Sequence, residues 1–143
     1  MMKRIIYIIL CTILAISCSK DTSPENMSES SIKQKLIGKT WMEVKEIDYG
    51  IDGKVLDTSS SSDENWEQEE WTFSEDGHVR WYTADDEQEV FMNYFIQGDK
   101  LIFGISPLTI KKLTNSELVV ETQHEIDVED WEASYSELYF KKK

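Results

Sequence analysis

Hydrophobic residues fall into three regimes along the chain. Ile5 to Ile16 is one run, apolar except for Thr12, with Lys3 and Arg4 directly ahead of it. From Ser19 to Ser31 the text is Ser-Lys-Asp-Thr-Ser-Pro-Glu-Asn-Met-Ser-Glu-Ser-Ser, polar and without period. From Trp41 onward apolar and polar residues alternate in short stretches broken by turns, the two-residue period of half-buried strands. The pattern predicts a leader over residues 1–17, a flexible segment over 18–31 and a β domain over 32–143.

Within the domain, Ser31 with Gln34 three residues on has the form of a capping box, predicting a short helical turn through Leu36. Trp41, Val44 and Ile47 mark a first strand that ends at Asp48-Tyr49-Gly50-Ile51-Asp52-Gly53. Asp57 to Glu70 is serine-rich and then acidic, and reads as a long mobile loop. Trp71 and Phe73, the turn Ser74-Glu75-Asp76-Gly77, then Val79 and Trp81 form the clearest hairpin, because Asp-Gly supplies the positive φ of a tight reversal. Met92, Tyr94 and Ile96 lead through Gln97-Gly98-Asp99-Lys100 to Leu101, Phe103 and Ile105 as a second. Three further strands are predicted at 108–113, 118–126 and 134–140. About eight antiparallel strands with short connections give an all-β fold, a small eight-stranded up-and-down barrel, with a two-sheet sandwich as the alternative. Closure is favoured because it removes edge strands.

The leader is too short to cross a membrane, which takes roughly 20 apolar residues, and reads as the core of a secretory signal. Leu14-Ala15-Ile16-Ser17-Cys18 resembles the bacterial lipobox, in which the cysteine is acylated and becomes the new N-terminus. An ordinary signal peptide cleaved nearby is the alternative. Cys11 would leave with the leader and Cys18 would carry lipid, so no disulfide is expected. Each buried CH₂ of an acyl chain adds about 0.8 kcal/mol, and two or three chains anchor stably.

Charge changes the picture in one respect. The net charge is −13, from 28 acidic and 15 basic residues. Loss of Lys3 and Arg4 with the leader makes it −15. A nucleic-acid partner is excluded, since phosphate binding needs a basic stripe. The acids gather in Asp63 to Glu70, Asp85 to Glu89 and Glu125 to Glu132, at predicted loops and strand ends, and read as a solvated rim.

Leu36-Ile37-Gly38-Lys39-Thr40-Trp41, Trp71-Thr72-Phe73-Ser74-Glu75-Asp76-Gly77, Tyr94-Phe95-Ile96-Gln97-Gly98-Asp99-Lys100-Leu101, Leu113-Thr114-Asn115-Ser116-Glu117-Leu118 and Tyr139-Phe140-Lys141, in this order and spacing, resemble the lipocalin-like lipoproteins of Bacteroidetes. The likeness runs over residues 36 to 142. It departs from true lipocalins, which carry Gly-x-Trp, because two residues separate Gly38 from Trp41. The resemblance implies a lipid-anchored barrel of the outer membrane, periplasmic or surface-exposed, that holds a small apolar molecule. Cys18-Ser19-Lys20-Asp21 is similar to the charged surface-export signal of that phylum's lipoproteins.

Candidate chemistry follows from these elements. Trp41, Trp71, Phe73, Trp81, Tyr94 and Phe103 are expected to line the barrel, either as an aromatic box for a small ligand or simply as core. Trp66 and Trp131 each stand alone in an acidic loop, as stacking platforms at a barrel mouth or as lids over the core. His78 follows the turn glycine, where a solvated residue is expected, and His124 sits beside acids near a strand end. No Ser-His-Asp arrangement, metal-spaced histidine pair or phosphate-cradling glycine loop is present. Asp127, Glu129 and Asp130 lack the glycine bend usual among calcium ligands. Two occupants are left open: a small apolar or aromatic ligand at one mouth, or an envelope or basic protein partner on a filled barrel. An enzyme is expected only if carboxyls with strongly shifted pKa values converge in one cleft. No cofactor and no metal is implied.

Overall fold

The computed structural model describes residues 23–124 and 133–143. A short helix, α1 (Glu29–Leu36), precedes ten strands: β1 (Thr40–Tyr49), β2 (Val55–Ser60), β3 (Glu69–Phe73), β4 (His78–Thr83), β5 (Gln88–Asn93), β6 (Phe95–Gln97), β7 (Lys100–Ile102), β8 (Pro107–Leu113), β9 (Glu117–Gln123) and β10 (Tyr135–Lys142). All pairs are antiparallel and belong to one sheet, in the order β5-β4-β3-β1-β10-β9-β8-β7-β6. A single sheet curling toward closure is the expected barrel rather than the two-sheet sandwich.

The strand count is ten, not eight, and two interruptions account for the difference. β2 and β3 pair the same edge of β1, β2 along its second half and β3 along its first. They are one descending wall split by the segment 61–68. β5 and β6 also run in one direction, separated only by Tyr94, with β5 on β4 and β6 on β7. There the sheet stays unsealed between its two end strands. Joining each pair of halves restores eight up-and-down walls. The stretch read as a loop from Asp57 is therefore strand as far as Ser60.

Parity fixes what faces inward. Trp41 and Glu43 on β1, Trp71 and Phe73 on β3, Val79 on β4, Leu118 and Val120 on β9 and Phe140 on β10 are buried. A bulge between Glu43 and Lys45 then shifts β1 by one residue against β10. Such a shift exchanges the two faces of a strand. Beyond it Glu46 lies opposite Leu138 and Asp48 opposite the fully buried Ser136, so these acids take the inner face. Val44 and Ile47, expected to mark the strand's apolar side, do not continue the row that Trp41 begins.

One end of the barrel is closed by α1. Its N-cap is Ser28, whose Oγ accepts from the Ser31 N–H at 3.2 Å, three residues earlier than the predicted cap at Ser31. The segment assigned to the linker thus already belongs to the fold from Pro24, which is buried in a 3-10 turn. Ile32 and Leu36 are fully buried, and each contributes about 1.5–3 kcal/mol by leaving water. Trp41 Nε1–H donates to the Leu36 carbonyl at 3.2 Å, satisfying a carbonyl of the helix end. Gly38, at φ +68°, makes the bend between α1 and β1 that a side chain would resist.

Candidate functional site

Inside the closed half the aromatic residues pack on one another. Trp71 lies 4.1 Å from Phe140 and 5.0 Å from Phe103, centroid to centroid, and Phe73 lies 5.1 Å from Tyr94. Trp81 stands edge-on to Trp71 at 6.4 Å. These edge and tilted contacts add to the burial energy of each ring. Trp41, Trp71, Phe73, Tyr94 and Phe103 are all buried. The Tyr94 hydroxyl donates to the Ser74 carbonyl at 3.0 Å, tying the bent wall to the turn of the first hairpin.

The opposite end opens into a hollow of about 480 Å³ lined by Glu43, Glu46, Asp57, Asp63, Glu64, Glu67 and Glu69, with Thr58, Ser59, Asn65 and Trp66. It lies where β2 parts from β3. No lysine, arginine or histidine lines it, and none of its seven acids is ion-paired among the described residues. Two further hollows lie on the outside, one of about 560 Å³ across Lys45, Tyr139 and Lys112, the other of about 350 Å³ beside α1 and Tyr94. Trp41, Trp71, Phe73, Trp81 and Phe103 line none of the three.

Three carboxyls of the mouth are held above their ordinary range. Burial pushes Glu43 up to about 8, helped by the charges of Glu69 and Glu46. The residue is only 5% exposed, and its carboxyl makes no hydrogen bond or ion pair among the described residues. Burial likewise raises Glu69 to about 7, with Glu46 and Glu67 pushing the same way. The indole N–H groups of Trp71 and Trp81 lie close enough to the Glu69 carboxyl to oppose that rise, yet neither completes a hydrogen bond of ordinary geometry. Glu46 is raised by burial and by Asp48.

Beside the mouth Ser136 links two other groups. Its hydroxyl donates to Asp48 Oδ1, and its oxygen lies 2.6 Å from His124 Nε2. With the serine proton given to Asp48, the imidazole is the donor. Serine, histidine and aspartate do meet, but with serine in the middle and its proton committed to a carboxylate. That order gives the serine no base and builds no nucleophile.

Of the residues proposed from sequence, Trp66 is at the mouth, part-buried, with its Nε1 enclosed and unpartnered. The remaining described aromatics are brought together in the core. His78 is half-exposed and 3.1 Å from Asp76, as expected of a solvated hairpin residue. Trp131, Cys18 and the acids Asp127, Glu129 and Asp130 lie outside the described residues. Glu43, Glu46 and Glu69 were missed as site residues. Parity carried the signal for two of them, since Glu43 shares the side of Trp41 and Glu69 the side of Trp71 and Phe73. The bulge hid the third.

Among the described residues no group of three or more His, Cys, Asp and Glu is placed to hold a metal ion, and no helix is long and apolar enough to cross a membrane. No protein-family model, curated protein or solved structure matches the chain.

Proposed function

We propose that the protein is a lipid-anchored, non-enzymatic component of the cell envelope, tethered to the outer membrane through Cys18, whose barrel binds a positively charged partner at its acidic mouth. The observation that supports this reading is the contrast between a core occupied by its own aromatic rings and an open hollow lined by seven acids, none of them ion-paired among the described residues. The aromatics expected to line a box for an apolar ligand are instead packed against one another, which favours the partner over the small apolar molecule. Native mass spectrometry of the protein from its own host tests both parts. The expected result is a diacylated or triacylated Cys18 and no apolar molecule retained by the domain. An unmodified Cys18 would remove the tether, and a co-purifying apolar compound would restore the ligand-box reading.

One observation favours a second reading. Glu43 and Glu69 share one hollow and are raised into the neutral range, the condition set above for general acid–base chemistry. It predicts hydrolysis of a glycoside or ester panel that is lost in Glu43→Gln and Glu69→Gln. Absence of turnover across the panel would discard it.

A further inference from the structure

Resting on the partner reading above, we infer that the mouth is built for an organic cation, a primary alkylammonium group seated between the Glu43 and Glu69 carboxylates with its methylene stem along the Trp66 indole. Three observations carry this. The hollow is lined by seven acids and by no basic side chain, so all of its formal charge is negative. Glu43 is nineteen-twentieths buried as a residue and lines the hollow, and its carboxyl has no hydrogen-bond or ionic partner among the described residues. A carboxyl so poorly solvated is costly to ionise, and a cation that donates to it from the hollow offsets that cost. Trp66 adds an indole, the aromatic surface most favourable to a cation and to the alkyl chain behind it.

Size and geometry exclude the simplest competitor. At about 480 Å³ the hollow is in the range of organic-ligand sites, and its acids are too dispersed to surround one metal ion. An ammonium with three donors on a flexible stem meets carboxyls that arrive from β1, from β3 and from the segment 61–68. Two sources carry this chemistry, a lysine of a basic protein and a free polyamine.

Binding is also coupled to protons. Glu43 and Glu69 share the hollow with Glu46 on β1, Asp57 on β2, and Asp63, Glu64 and Glu67 on the segment before β3, and Asp48 acts on Glu46 behind them, so acids meet them from each of these elements. A cation entering there favours the ionised carboxylates and drives protons off.

The test is isothermal titration of the full chain in detergent micelles with spermidine and with tetralysine at physiological ionic strength. Magnesium chloride and sodium chloride of matched ionic strength serve as controls. The expected result is saturable binding of at least one organic probe, with an enthalpy that changes with the ionisation heat of the buffer at pH 7 as protons are released. Glu43→Gln and Glu69→Gln should each weaken it about tenfold or more, and Trp66→Leu by a smaller factor, with unchanged far-ultraviolet dichroism. Binding of tetralysine alone assigns the source to a protein, and of spermidine alone to a polyamine. No saturable binding, equal effects of magnesium, or full binding by Glu43→Gln overturns the inference. The partner reading fails separately, if cross-linking of the tethered protein in its envelope yields the same contacts when the mouth acids are replaced.

Discussion

At the closed end, Trp41, Phe73, Leu118 and Phe140 meet Ile32 and Leu36 of α1, and every one of these residues is at most 2% exposed. At the open end the same strands place Glu43, Glu46, Asp48 and Glu69 on the inner face. The two ends share a backbone, a parity and a barrel wall, and differ in what the inward positions carry. Packing can therefore be concentrated at one end, leaving the other free to hold groups that oppose folding. Sites that break the local rules of burial are where function is expected.

The largest effect should come from the closed end. Trp41→Ala is expected to cost about 3–5 kcal/mol, read as a lower urea midpoint, because a fully buried indole is lost together with its bond to Leu36. Trp66→Ala should cost under about 1.5 kcal/mol. Equal losses at the two sites would abolish the contrast between the ends. Leu36→Ala, at the contact between helix and barrel, is expected to cost about 3 kcal/mol in the same measurement. If the helix were only laid on the surface, the change would be a few tenths.

The open end should show itself through pH. Glu43 and Glu69 have folded pKa values of about 8 and about 7 against an ordinary 4.5. Between those limits the folded state holds protons that the unfolded chain has released, so their stabilising contribution is complete below pH 4.5 and is lost as pH rises through 7 and 8. Asp52, Asp76 and Glu117, whose pKa values are lowered, act with the opposite sign but only in acid. Urea unfolding should therefore show a decline on the order of 2 kcal/mol from pH 5 to pH 9, allowing for screening at an open mouth. Glu43→Gln should be more stable than the parent at pH 9 and indistinguishable from it at pH 4. A flat profile in the parent would mean that the mouth acids are hydrated like surface carboxylates. The smallest expected effect is Ser28→Ala, about 1 kcal/mol from loss of the helix cap. Its thermal unfolding should shift by a few degrees, whereas Ser31→Ala, one turn inside the helix, should shift less.

The sequence made the all-β class and the first hairpin legible because Asp-Gly and the alternation around Trp71, Phe73, Val79 and Trp81 are local signals; of the second hairpin only the turn and short arms, Phe95–Gln97 and Lys100–Ile102, agree, since Met92 pairs with β4 and Ile105 is fully exposed. It also separated the aromatic strands from the acidic text between them. Two things were not legible. The split of one wall into β2 and β3 depends on pairing with β1, and nothing within Asp57-Thr58-Ser59-Ser60 distinguishes an edge segment from a loop. The inward turn of Glu46 and Asp48 depends on a single bulge, which moves acids to the inner face without any residue type that announces it. The acids were counted as a coat because charge is normally outside. For Glu43 and Glu69 the parity of Trp41 and Trp71 pointed the other way.

The closed end is also where the chain comes and goes. α1 lies there, and the Lys143 N–H donates to the Thr40 carbonyl at 2.9 Å, so the last residue ends beside the first strand's start. If Cys18 carries lipid as proposed, the few residues between it and Pro24 reach at most about 20 Å when extended, and Glu43 and Glu46 lie about 10–20 Å along β1 from its foot. The stoppered base would then face the bilayer, with the acidic opening about 10–20 Å farther out than the base. That added distance is one to two screening lengths, about 8–10 Å each in physiological salt. The opening would look away from the surface that holds it, toward whatever passes in solution, with most of its charge screened from the headgroups below.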